Sequence, residues 1–190
     1  MTPMELGFLE SQHQDALAMR RNAHLFDLVP QPTRAGDGPP RQYLLALNVT
    51  SMARLPHGEI VEHDQWLAMI HFPPGSLSRV DPRRVIQWIA GPLWHPNARP
   101  ELGWFCVGRL SPGTPLRNLV FRIHEIVVYA NWASNSPLNG DAAAWARQNQ
   151  HRFPTDPRPL FWHPPTPSAA PAGHTDIKSL NTEGGSHDPR

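Results

Sequence analysis

The stretch "LWHPNARPELGWFCVGRL", Leu93 to Leu110, contains the only cysteine of the chain, set among prolines and glycines. A single free cysteine commonly serves as small buried filling, and that is one reading of Cys106. The other takes the Pro- and Gly-rich surroundings as a loop that presents the thiol for nucleophilic chemistry. No lysine or histidine follows Cys106 closely, so nearby residues offer no base for a protease-type thiol dyad.

Working outward, the pattern on the C-terminal side has helical spacing. Leu116, Leu119, Val120, Ile123, Ile126, Val127 and Ala130 form one face behind a Thr114-Pro115 start. A shorter helix is expected over Gly140 to Asn149. On the N-terminal side the period is two. Tyr43, Leu45, Leu47 and Val49 alternate, as do Trp66, Ala68, Ile70 and Phe72, with "HLFDLV" before them and "RVIQWIAG" after. With the proline/glycine cluster Pro30 to Arg41 read as a turn, four such runs in sequence suit an antiparallel meander. Thr2, Pro3 and Glu5 have the form of a capping box that opens a first helix, running to about Arg21 with Leu6, Leu9, Ala16 and Leu17 on its apolar face. Helix, four strands, an irregular stretch with the cysteine, then two helices is an α+β order, with helices packed on one sheet face.

Length and composition narrow the function. The 190 residues suffice for one domain with a real core. A formal net charge of +1, with scattered arginines, gives no nucleic-acid signature. One cysteine excludes an internal disulfide. No apolar signal segment or membrane-length apolar run is present, so a soluble, cytoplasmic protein without membrane attachment is expected. Pro154 to Pro171 holds seven prolines, and few large apolar residues follow Trp162. Residues 154–190 therefore read as a Pro-rich, largely disordered tail behind a domain of residues 1–153. The tail histidines His163, His174 and His187 read as solvated, and no metal site or cofactor is expected. Only one of the basic residues, Lys178, is a lysine, which fits codon bias in a GC-rich genome.

The loop also carries a resemblance. His95-Pro96-Asn97, then Gly103, then Cys106 three residues later and Leu110 after it, is similar to the active-site pattern of the ubiquitin-conjugating enzymes. "HFPPG", His71 to Gly75, resembles that family's Phe-Pro after its third strand. "SPLNGDAAAWARQN", Ser136 to Asn149, resembles its entry to the helix after the crossover. The resemblance spans roughly Thr2 to Phe153 and implies the UBC fold: N-terminal helix, four-stranded meander, active-site loop, crossover helix and short C-terminal helix. It implies a transferase that accepts a ubiquitin-like protein from an activating enzyme as a thioester on Cys106 and passes it to an amine of a target protein. Asn97 then stabilises the oxyanion or braces the loop, while His95, Pro96 and Gly103 shape the turn.

Several positions depart from the family pattern. "PGSLSRVDPRR", Pro74 to Arg84, replaces the loop with which many members bind ligases. Gly103 follows Asn97 by six residues, a slightly longer loop than usual. Ser136 stands where an acceptor-orienting aspartate is common, leaving Asn135 and Ser136 as acceptor-positioning candidates or simple helix caps, with Asp141 close by. Such divergence resembles the bacterial members, which implies a neighbouring deconjugating peptidase and a setting in antiphage defence. Two other readings compete: a non-catalytic binding variant of the same fold, and an unrelated cysteine hydrolase using His95 or His124. His124, on the crossover helix, reads as a satisfied structural histidine.

Overall fold

A computed structural model describes residues 1–33, 38–132 and 135–161. Helix α1 spans Pro3–Asn22. Its N-cap is Thr2, whose hydroxyl accepts from the Glu5 N–H at 3.2 Å. The reciprocal half of the capping box is absent, because the Glu5 carboxylate turns to the Arg41 guanidinium at 3.0 Å. The buried face of α1 is Leu9, Gln12, Ala16 and Met19, so it includes a polar residue that periodicity does not select.

Four strands follow: β1 Phe26–Pro30, β2 Gln42–Arg54, β3 Ile60–His71 and β4 Ile86–Ala90. They pair antiparallel in the order β1-β2-β3-β4, the expected meander. Alternation places Tyr43, Leu45, Leu47, Trp66, Ala68, Ile70, Ile86 and Trp88 in the core. The β2–β3 register shifts between Asn48 and Ser51. The backbone freed there is satisfied by the segment that follows the last helix. Thr50 N–H donates to Asp156 at 3.0 Å, and the Thr155 hydroxyl donates to Thr50 O at 2.7 Å. Residues 154–161 thus pack on the sheet, with Leu160 and Phe161 buried. The remaining tail, with its three histidines, lies outside the described residues.

Between β3 and β4 Asp81 caps a single helical turn, α2, Pro82–Val85. Two very short strands, β5 Ala98–Arg99 and β6 Trp104–Phe105, pair with each other within the stretch expected to be irregular. Helix α3, Leu116–Val127, lays its apolar face on the sheet and on α1. Its start is not capped by Thr114, whose hydroxyl bonds Ser111 O. Gln12 of α1 accepts from Leu116 N–H at 2.7 Å, which explains a buried glutamine on an apolar face. The helix stops at Val127 and Ala130 lies beyond it, exposed. The stop comes from Tyr129, which adopts φ 61° and buries its ring instead of continuing the helix. That ring joins Met52, Trp94, Ala142 and Ala146 in a second apolar cluster, with Trp132, Trp145 and Phe153 against it. The last helix, α4, is Gly140–Gln148.

Candidate functional site

After β4 the chain turns at Gly91 and crosses to the end of β2. Arg54 N–H donates to Pro92 O at 2.9 Å, and Trp94 N–H donates to Met52 O at 2.8 Å. This delivers His95 into the second cluster, fully buried, with its ring 4.4 Å from that of Tyr129. Burial pushes the imidazole pKa down to about 3, so the ring is neutral. Its Nδ1 accepts from the Asn97 N–H at 2.9 Å, while Nε2 finds no partner among the described residues. His95 O closes the turn by accepting from Ala98 N–H at 3.1 Å. Pro96 O accepts from Asn139 N–H at 3.0 Å, and Asn139 in turn caps α4 through Ala142 N–H. The tripeptide thus joins the loop to the start of the last helix through its main chain.

From Asn97 the hairpin of β5 and β6 brings the cysteine back. Ala98 faces Phe105 and Arg99 faces Trp104. The reversal needs a left-handed residue, and Gly103 supplies it with φ 67° and ψ 14°. Phe105 is buried and stacked on Trp88, with ring centroids 5.1 Å apart. Alternation about that anchor turns Trp104 and Cys106 outward and Val107 inward. Cys106 is free and exposed, which removes the buried-filler reading of its side chain. Its N–H donates to Asn97 O at 2.9 Å. The Asn97 carboxamide is half-buried and makes no hydrogen bond among the described residues, so its donors are uncommitted.

The thiol opens onto a cleft of about 220 Å³ lined by Asp81, Arg83, Trp104, Phe105 and Leu138. The Arg83 guanidinium lies 5.2 Å from the Trp104 ring centre. Asn135 and Ser136 are exposed and do not line this cleft; Leu138 represents their segment there. Neither caps α4, since Asn139 does. Asp141 faces a different cleft, of about 350 Å³, with Arg54, Trp94, Arg99 and Glu101. Among the described residues the one carboxylate lining the cleft of the thiol is therefore Asp81. The sequence marks it only as the start of an Asp-Pro turn, a signal of capping and not of chemistry.

His124 is buried and its pKa is lowered by that burial, yet its Nε2 has no partner among the described residues, so it is not satisfied as the sequence suggests. The Cys106 thiol has no hydrogen bond to any histidine there either. Among the described residues no group of three or more His, Cys, Asp or Glu side chains could hold a metal, and no helix is long and apolar enough to cross a membrane.

No protein-family profile matches the chain, and no curated protein matches it. Among solved structures the chain is similar to the E2 domain of a ubiquitin-conjugating enzyme from Toxoplasma gondii. The TM-score is 0.46 and the identity 16%, over 77% of this chain and 90% of that one.

Proposed function

We propose that the protein is a conjugating enzyme that carries a ubiquitin-like protein as a thioester on Cys106 and transfers it to an amine of a target protein. The observation that carries this reading is the exposed Cys106 tied through its own N–H to the carbonyl of Asn97, whose carboxamide makes no hydrogen bond among the described residues. A carrier thiol must be reachable by two large partners in turn, and an outward-facing cysteine beside an open cleft meets that demand. In the transfer step the amine nitrogen attacks the thioester carbonyl. A C–N bond forms, the C–S bond breaks, Cys106 leaves as thiolate and the ammonium formed gives its proton to water. Negative charge gathers on the carbonyl oxygen before the C–S bond breaks, and the Asn97 amide is the neutral donor available to meet it. His95, Pro96 and Gly103 position these two residues. Asn135 and Ser136 border the cleft only through Leu138, so the role of orienting the acceptor amine passes to Asp81, the carboxylate in the cleft.

The partners are an activating enzyme, a ubiquitin-like protein and a target amine, with a deconjugating peptidase in the same bacterial antiphage system. A cysteine hydrolase would need a base for the thiol, and among the described residues no histidine is bonded to Cys106, which weighs against it. Incubation with the activating enzyme, ATP and the ubiquitin-like protein, read on a non-reducing gel, tests the proposal. A thiol-sensitive adduct that becomes a stable ester in Cys106→Ser is expected. No adduct from a partner set proven active would overturn it. Asn97→Ala should still load but discharge to lysine about a hundredfold more slowly.

A further inference from the structure

The Cys106 cleft does not end at Arg83. The same arginine lines a second cleft of about 240 Å³ on the outward face of the sheet, bounded also by Gln42, His71, Arg84 and Gln87. Strand register explains this neighbourhood. Gln42 lies opposite His71, Met69 lies opposite Gln87, and alternation turns these residues away from the helices. Helix α2, one turn long, then sets Arg83 and Arg84 at the corner where β3 ends and β4 begins. Neither guanidinium has a carboxylate partner among the described residues; Arg83 rests on Trp104 and Arg84 has no ion pair. Among the described residues no carboxylate lines the second cleft. Arg41, whose charge reaches His71, is committed to Glu5. Among the described residues the single carboxylate lining the two clefts, Asp81, stands at the Cys106 end, one of its oxygens held by the Arg83 N–H at 3.1 Å.

We infer that the two clefts form one groove for the acceptor segment of the target, an acidic peptide whose lysine enters beside Asp81 and Cys106 and whose Asp or Glu residues lie toward Arg84. The inference rests on the thioester chemistry proposed above. Charge decides the occupant. Two unpaired guanidiniums and two carboxamides offer donors to carboxylates along the sheet face, and the carboxylate at the thiol end suits an ammonium. A basic segment would meet Arg83 and Arg84 with like charge and would gain only Asp81.

The test uses two fluorescein-labelled peptides of the same length, each with one lysine, one followed by glutamates and the other by glutamines. Anisotropy titration of the unloaded protein at low salt should show the glutamate peptide binding about tenfold tighter, an advantage that shrinks as salt shortens the screening length from about 10 Å to about 3 Å. Arg84→Glu should abolish the preference and Arg84→Lys should retain part of it. Equal binding of the two peptides, or a preference untouched by Arg84→Glu, overturns the groove. Discharge of the loaded enzyme separates this from the chemistry. A Cys106 thioester that discharges equally to both peptides overturns the groove alone. Preferential peptide binding by a protein that never forms the thioester overturns the conjugating function and supports acidic-peptide recognition.

Discussion

His95 is a neutral imidazole sealed under the cysteine loop, and this makes the loop's foundation sensitive to acid. Its pKa in the fold is about 3, against 6.5 for the free side chain. A group depressed by folding contributes stability that is complete above its unfolded pKa and disappears as pH falls toward the folded value. The window is therefore from about 6.5 down to about 3. Between neutrality and about pH 5 the unfolded chain takes up a proton that the folded chain refuses, and at 1.36 kcal/mol per unit the loss from His95 alone is about 2 kcal/mol. His71 and His124 are also held low by burial and act with the same sign, so the wild-type slope alone does not isolate His95. A comparison with His95→Gln does. The glutamine oxygen can still accept the Asn97 N–H, but nothing at that position titrates. Urea unfolding followed by tryptophan fluorescence at neutral pH and about pH 5 should show the variant losing about 2 kcal/mol less than wild type. Parallel losses in the two proteins would refute a buried, neutral His95.

Two further outcomes concern the frame around the site. The Asp156 carboxyl is held down to about 2, first by the Arg158 guanidinium and then by the Thr50 and Arg158 N–H groups, so its contribution is present above about 4 and disappears as pH falls through about 2. Asp156→Asn should cost about 1 to 2 kcal/mol at neutral pH and flatten the acid limb of the stability profile in a denaturant series. Gly103→Ala should cost about 1 kcal/mol in thermal unfolding, because its φ of 67° is disfavoured for alanine while no atom lies nearer than 3.5 Å to the new Cβ. Gly91→Ala should cost clearly more, since its Cβ would come within 2.6 Å of the Trp66 ring.

The meander is legible because each strand buries one face. Tyr43, Leu45 and Leu47 must point the same way, and a two-residue period is the only one that lets them. The long helix is legible for the same reason at a different period. Its end is not, because Tyr129 leaves the helix to fill a cluster assembled from β2, the cysteine loop and α4, and no local pattern records that demand. The two-residue strands β5 and β6 are too short to show a period at all. Gln12 reads as a polar interruption until the N-terminus of α3 is seen to need an acceptor. At the site, Gly103 is legible from its residue type, and Cys106 and Asn97 are singled out by spacing and resemblance. Asp81, Arg83 and Trp104 are not. Asp81 and Arg83 reach the thiol only because α2 packs on Trp104 of β6, a contact between residues more than twenty positions apart in the chain.

Because Cys106 is both the sole thiol and exposed, the natural chain accepts a single maleimide fluorophore without any substitution. The dye would sit next to the Trp104 indole, a contact quencher for many fluorophores. Occupancy of the cleft by a partner, by separating dye from indole, would register as a rise in emission, so that encounters at the loop could be timed in solution on the wild-type sequence.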